Sequence, residues 1–439
     1  MSTGENGSEK RMNLQPETGN LARIRELIAW AAAGAADRPA ACTCTDWEKL
    51  AQLAAQHHVL PLAACAVKRA EEETCPKQIR EMLTGVVRRT SAENMIRRQR
   101  MVYLIDEMTK AGVDALVLKG YTVAADYAHP ECRDSADVDL LIDPGQEKKA
   151  IAFLREHGFT VEARAMTSQH AVCVHPQYGK LELHVSLYAE LVREVWFQGM
   201  SARALVCEPP VLCSTPDGTF KALGYTDHLI FLALHMIKHF IESGLTIRMM
   251  LDIALFFSHH AQQIDAERFW KVMHDLQYDA LISSVLWIMI RCAGFGKACF
   301  PGIAQEDAEQ MDAILEDLAQ GGYMGAMQKE RRYEAGMEYN RRRMRRKRNG
   351  AQYRAYMLRW KIRTASKYMF MSFERLSGMH PFLRKAPVLY PFVWIWQMLA
   401  YPVGKIRSGI LKTEVRAGGA KMTPEAKRRV ALFETLHML

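Results

Sequence analysis

The sequence predicts an α+β protein, a small mixed sheet with helices flanked on both sides by helical regions. Three observations carry this. Apolar residues recur at helical spacing from about Leu21 to Met108, with Ile24, Leu27, Ile28 and Ala31 on one stripe. Over the next hundred or so residues, short β-type runs alternate with helical ones. From His228 the pattern is helical again, strongly apolar over 228–243 and 247–260. This order divides the chain into a disordered tail (1–20), an N-terminal helical region (21–110), an α/β core (111–215), a helical domain (216–330) and a basic, aromatic-rich C-terminal helical region (331–439).

Taken in order, the tail is polar and lacks the apolar stretch of a secretory signal, so a cytoplasmic protein is expected. Thr45-Asp46-Trp47-Glu48 has the form of a capped helix start. Residues 94–110 read as a long amphipathic helix that stops before Ala111-Gly112. Strands follow at 115–118 and 138–142 with a helix over 121–127 between them, then a helix over 146–157 and a strand over 159–163. Residues 171–175 and 180–185 read as a hairpin turning on Gln177-Tyr178-Gly179. After Pro216-Asp217-Gly218 only helices are expected, including an amphipathic pair over 269–292 and a short acidic helix within 301–321.

Ten scattered cysteines, with only Cys42-Thr-Cys44 closely spaced, fit a reducing compartment better than a disulfide framework. The formal charge of +9 is concentrated: seven of the eight residues from Arg341 to Arg348 are basic, which favours anionic partners. That run reads as a solvated face or linker. The apolar stretch 388–403 is shorter than the ~20 residues a spanning helix needs and is broken by Pro391 and Pro402. Trp394 and Trp396 are therefore expected to pack against protein, and a membrane surface is the disfavoured partner.

The chemistry concentrates in Leu116-Val-Leu-Lys119-Gly120 and Arg133-Asp-Ser-Ala-Asp137-Val-Asp139-Leu-Leu-Ile142. Residues i and i+2 of a strand share a face, so Asp137 and Asp139 project together while Val138, Leu140 and Ile142 anchor the strand. Two adjacent carboxylates repel unless a cation lies between them, and an oxygen-only site of this kind suits magnesium. His235 and His239 share a helix face but lack a convincing third ligand, so they read as histidines of a helical domain. Arg248 and Asp252 read as a structural i, i+4 pair.

The block Leu118-Lys119-Gly120, Arg133, Asp137-Val-Asp139-Leu-Leu-Ile and Leu181-Glu182-Leu-His184 resembles the uncharacterised nucleotidyltransferase family of the DNA polymerase β-like superfamily. His57-His-Val-Leu-Pro61, His235-Met-Ile-Lys-His239, Arg248 with Asp252, and Pro381-Phe-Leu-Arg-Lys-Ala-Pro387 extend the likeness. It implies a polymerase β-like core in which Asp137, Asp139 and Glu182 bind magnesium and carry catalysis. Lys119, Gly120, Arg133 and His184 would line the nucleotide site, and a nucleoside monophosphate would pass from an NTP to an acceptor hydroxyl on a small molecule, protein or RNA. In this chain Gly120 follows Lys119 and precedes Tyr121, where the superfamily has Gly followed by Gly or Ser. Two other readings stand beside it: a catalytically weak binding or regulatory module, and a peripheral membrane protein. On the transferase reading Asp139→Asn should stop turnover and spare the fold.

Overall fold

The computed structural model describes residues 15–38, 46–68, 75–135, 137–162, 170–188, 205–320, 329–347, 422–439 and parts of 358–398. The Cys42-Thr-Cys44 pair, Arg348 and the end of the 388–403 run lie outside these residues, as does the tail before Gln15.

Helices α1 (Gln15–Ala35), α2 (Trp47–Gln56) and α3 (Leu60–Lys68) open the chain. Asp46 caps α2 by accepting from the Lys49 amide, as its sequence implies. The next helix, α4 (Lys77–Lys110), begins well before the residue 94 that periodicity suggests. Its final turns bury Met101, Leu104, Ile105 and Met108, and Gly112 at φ +72° closes it.

The sheet then forms. Its strands are β1 (Ala115–Val117), β2 (Asp137–Ile142), β3 (Thr160–Glu162), β4 (His170–His175), β5 (Gly179–His184), β6 (Val211–Thr215) and β7 (Gly218–Ala222), in the spatial order β3-β4-β5-β2-β1-β7-β6. Short α5 (Tyr121–Ala124) follows β1, and α6 (Glu147–Glu156) lies between β2 and β3. Central β2 runs parallel to β5 and antiparallel to β1. A parallel pair needs a long crossover, here supplied by α6, β3 and β4.

The β6–β7 hairpin is the largest departure from the sequence reading. Its turn is the Pro216-Asp217-Gly218 signal, but Gly218–Ala222 continues as a strand and extends the sheet past residue 215. The segment becomes a strand because Ala222 pairs in parallel with Val117, a partner a hundred residues away. A buried ion pair between Arg98 of α4 and Asp217 fixes that turn from outside.

The pleat sorts the two faces. Val117, Val138, Leu140, Leu181 and Leu183 turn to one side and form a core with α4 and α6. The opposite face carries polar groups and looks toward α7 (Tyr225–Glu242) and α8 (Ile247–His259). A second core joins α1 to α3 with α7, α8, α9 (Ala266–Asp275), α10 (Asp279–Ala293), α11 (Ala308–Ala319) and the C-terminal α13 (Pro424–Thr435). Between the last two, α12 (Lys329–Lys347) packs on α13. Cys132, Cys173, Cys207, Cys213, Cys292 and Cys299 are free thiols.

Two C-terminal expectations are corrected. The basic run is not simply a solvated face: α12 buries Arg343, whose guanidinium donates to the Leu276 and Met438 carbonyls and stacks 4.9 Å above the Tyr278 ring. Trp394 is partly buried, but Trp396 is 58% exposed, with Phe392 and Val388 also exposed beside it. The prolines interrupt this stretch, and among the described residues its local cluster has Leu376 and Leu383 as fully buried members. Arg343→Ala strands two buried carbonyls, so the denaturation midpoint should fall by the equivalent of about 2–3 kcal/mol. Arg346→Ala, at an exposed position of the same run, should change it little.

Candidate functional site

The site is a row of polar side chains crossing one face of the sheet. On β2, Asp137 and Asp139 lie on the face opposite Val138, Leu140 and Ile142, which are almost fully buried. The parallel register places Asp139 directly across from Glu182 on β5. One carboxylate oxygen from each of Asp137, Asp139 and Glu182 lies within 4.8 Å of the others. The three residues expected to share a cation are therefore brought together. Three hard oxygen donors at that separation suit magnesium.

The carboxylates are already matched by internal cations. Lys119 Nζ lies 3.1 Å from Asp139 Oδ2, and His184 Nε2 lies 2.9 Å from Asp139 Oδ1 and 3.6 Å from Glu182 Oε2. Lys180 donates to Glu182 Oε1 and stands 3.8 Å from Asp137 Oδ2. Burial alone would raise both carboxyl groups. For Asp139 the Lys119 ammonium and the His184 hydrogen bond outweigh it, and for Glu182 His184 and Lys180 do, holding both below the usual carboxylate range. His184 is driven the other way: burial disfavours its charge, but bonding to Asp139 and Glu182 raises it above the ordinary histidine value. Asp139 is thus a 2%-exposed ion-paired group. Its neutralisation would disturb Lys119 and His184, so Asp139→Asn is expected to lower stability, against the expectation from sequence alone.

The remaining expected residues sit nearby but make other contacts. Lys119 spans Asp139 and His235, whose Nε2 is 3.4 Å away. Gly120 adopts φ +77°, and a Cβ there would meet Ser135 Oγ at 3.2 Å, so the turn into α5 requires glycine. Arg133 is buried and grips Asp252 with two hydrogen bonds of 2.7 Å, rather than pairing with Asp134 or a site aspartate. Tyr127 donates to the same carboxylate at 2.7 Å, and Arg248 approaches it at 3.6 Å. Arg248 and Asp252 do form the expected pair, but as part of this larger cluster. Burial opposes the charge on Asp252, and Arg133 more than compensates, lowering its pKa.

A cavity of about 200 Å³ separates the polar face from α7 and α8. Lys119, Gly120 and Asp137 border it from the sheet, and His235, His239 and Arg248 from the helices. Arg133 also borders it, and neither Arg133 Nη1 nor Arg248 Nε has a hydrogen-bond partner among the described residues. Buried donors of that kind call for an acceptor. His235 and His239 are kept neutral by burial and by Lys119, His239 being lowered to about 3.

Several residues escaped the sequence reading as parts of the site, among them Arg248 on the cavity wall and His170 beside Glu182. Lys180 and His170 could have been found by extending the i, i+2 rule along β5 and across the hairpin. His235 and His239 were seen as a pair, but nothing in the sequence says which sheet face their helix meets. The Asp252 cluster makes the most direct stability prediction. Asp252→Ala leaves Arg133 buried and unpaired, and should destabilise the protein by about 3–5 kcal/mol in chemical denaturation.

A family model described as an uncharacterised nucleotidyltransferase matches residues 43–294, more than half of the chain and every position from Lys119 to Asp252 discussed above. No curated protein and no solved structure matches the chain. On the extent of that match, the chain belongs to the uncharacterised nucleotidyltransferase family.

Proposed function

We propose that this protein transfers a nucleoside monophosphate from an NTP to an acceptor hydroxyl, using a polymerase β-like core in which Asp137, Asp139 and Glu182 hold magnesium. The carrying observation is the β2–β5 register, which gathers three carboxylates beside a cavity bordered by buried cationic groups. Bound magnesium supplies charge neutralisation on the phosphates and activation of the acceptor oxygen.

The chain's own residues do the rest. Arg133 and Arg248 offer their unused N–H groups to phosphate oxygens in the cavity, while Asp252 keeps both guanidinium groups fixed. Lys119, relieved of Asp139 when a cation takes that charge, is placed to turn toward the same phosphates. Gly120 keeps the backbone open at the cavity edge. His184 positions the carboxylates by bridging Asp139 and Glu182. The cationic cavity favours the anionic NTP over a neutral ligand and leaves the acceptor class open among small molecules, proteins and RNA. No described helix is long and apolar enough to cross a membrane. We place the activity in the cytoplasm, in keeping with the free thiols.

One observation favours a second reading, a nucleotide-binding module with weak catalysis. Lys119 and Lys180 occupy the carboxylates where cations would otherwise be needed. The two readings separate in an assay with each labelled NTP, magnesium and cell extract. The transferase reading expects label on an acceptor, and Asp137→Asn, at a half-buried position, should reduce it by at least about 100-fold without lowering thermal stability. NTP binding with no transfer under any condition supports the module instead. Lys180→Ala distinguishes them further: a working site should then half-saturate at about fivefold lower magnesium, because a competing surface charge is gone.

A further inference from the structure

A second group of metal-binding side chains adjoins the acidic trio. His170 begins β4 and pairs directly with His184 of β5 in the antiparallel register, so both rings rise from the same face as Glu182. Their centroids are 4.9 Å apart. One ligand atom each from His170, Glu182 and His184 lies within 4.8 Å of the other two.

His184 Nε2 is hydrogen-bonded to Asp139 Oδ1 at 2.9 Å, and the separations within the His170–Glu182–His184 group are longer. Glu182 Oε2 is 3.8 Å from His170 Nε2 and 3.6 Å from His184 Nε2, both beyond ordinary hydrogen-bond length. They are close to the spacing of neighbouring ligands around a tetrahedral ion, roughly 3.4 Å for metal–ligand bonds of about 2.0–2.1 Å. Glu182 is also divided in the right way. Lys180 takes Oε1 and faces Asp137, whereas Oε2 turns to the histidines.

From this geometry we infer that His170, His184 and Glu182 form a second cation site, selective for a borderline divalent ion such as zinc. The donor chemistry sets the preference: two imidazole nitrogens and one carboxylate suit zinc or cobalt, while magnesium prefers oxygen ligands. Three protein ligands leave a fourth position for water or a substrate oxygen. His184 gives up its bond to Asp139 on binding, and that aspartate is neutralised by Lys119 or, when it is bound, by the cation of the acidic trio. Glu182 is the one member shared with the magnesium trio. The inference needs no transfer reaction, since both histidines lie outside that trio.

The test is metal titration of the full chain after stripping with a chelator, with zinc followed by calorimetry and cobalt by its visible absorption. One ion per chain is expected, with the cobalt spectrum of a four-coordinate site, unaffected by excess magnesium. His170→Ala should weaken zinc binding by at least about tenfold. Asp137→Asn should leave it within about threefold of the parent. His170 retains 23% of its side-chain exposure, and His170→Gln, which removes the imidazole but keeps a side chain of similar length on the strand, repeats the test should the alanine variant misfold. Absence of zinc binding, or equal binding by well-folded His170 variants, overturns the inference even where NTP transfer is intact. Zinc binding that depends on His170 sustains it even where no transfer is found.

Discussion

The parallel pairing of β2 with β5 sets Asp139 opposite Glu182, and much of the molecule is arranged around the consequence. Carboxylates held this close and largely out of water need compensating charge. Lys119 comes from the end of β1, Lys180 and His184 from β5 itself, and His170 from the neighbouring strand. The apolar alternates of the same strands, Val138, Leu140, Leu181 and Leu183, lock the register by filling the core behind them. A one-residue slip would turn the acidic face into that core, so the packing that stabilises the sheet also holds the site together.

The helical side answers with a second charged centre. Asp252 on α8 gathers Arg133, Arg248 and Tyr127, linking the loop before β2 and the segment after α5 to α8. Arg133 and Arg248 both border the cavity, and among the described residues Arg133 Nη1 and Arg248 Nε have no hydrogen-bond partner. Acidic groups on the sheet thus meet the guanidinium groups of Arg133 and Arg248 across a small space. That polarity suits a ligand carrying both metal-binding and anionic character, and NTP phosphates combine the two.

Away from the cavity, charge and apolarity are used differently from what composition suggests. Arg343 is a structural residue that satisfies carbonyls at the end of α9 and at the C-terminus, and Arg429 does the same for the Phe240 carbonyl while pairing with Asp317. A basic run therefore includes both solvated and buried members. In the proline-interrupted segment, by contrast, Phe392 and Trp396 are exposed.

Sequence alone determined the central chemistry: spacing two apart in an apolar run puts Asp137 and Asp139 on one face, and the same rule joins Glu182 to His184. It also determined the α4 stop at Gly112, the β4–β5 turn and the apolar helices α7 and α8, because these depend on local periodicity and turn chemistry. Tertiary structure decided the partners. Which strand lies beside β2, that Gly218–Ala222 becomes a strand against β1, that Arg133 seeks Asp252, and that His235 reaches Lys119 all depend on contacts between residues far apart in the chain. Local pattern fixes the face on which a side chain stands, but only the packing of distant elements fixes what it meets there.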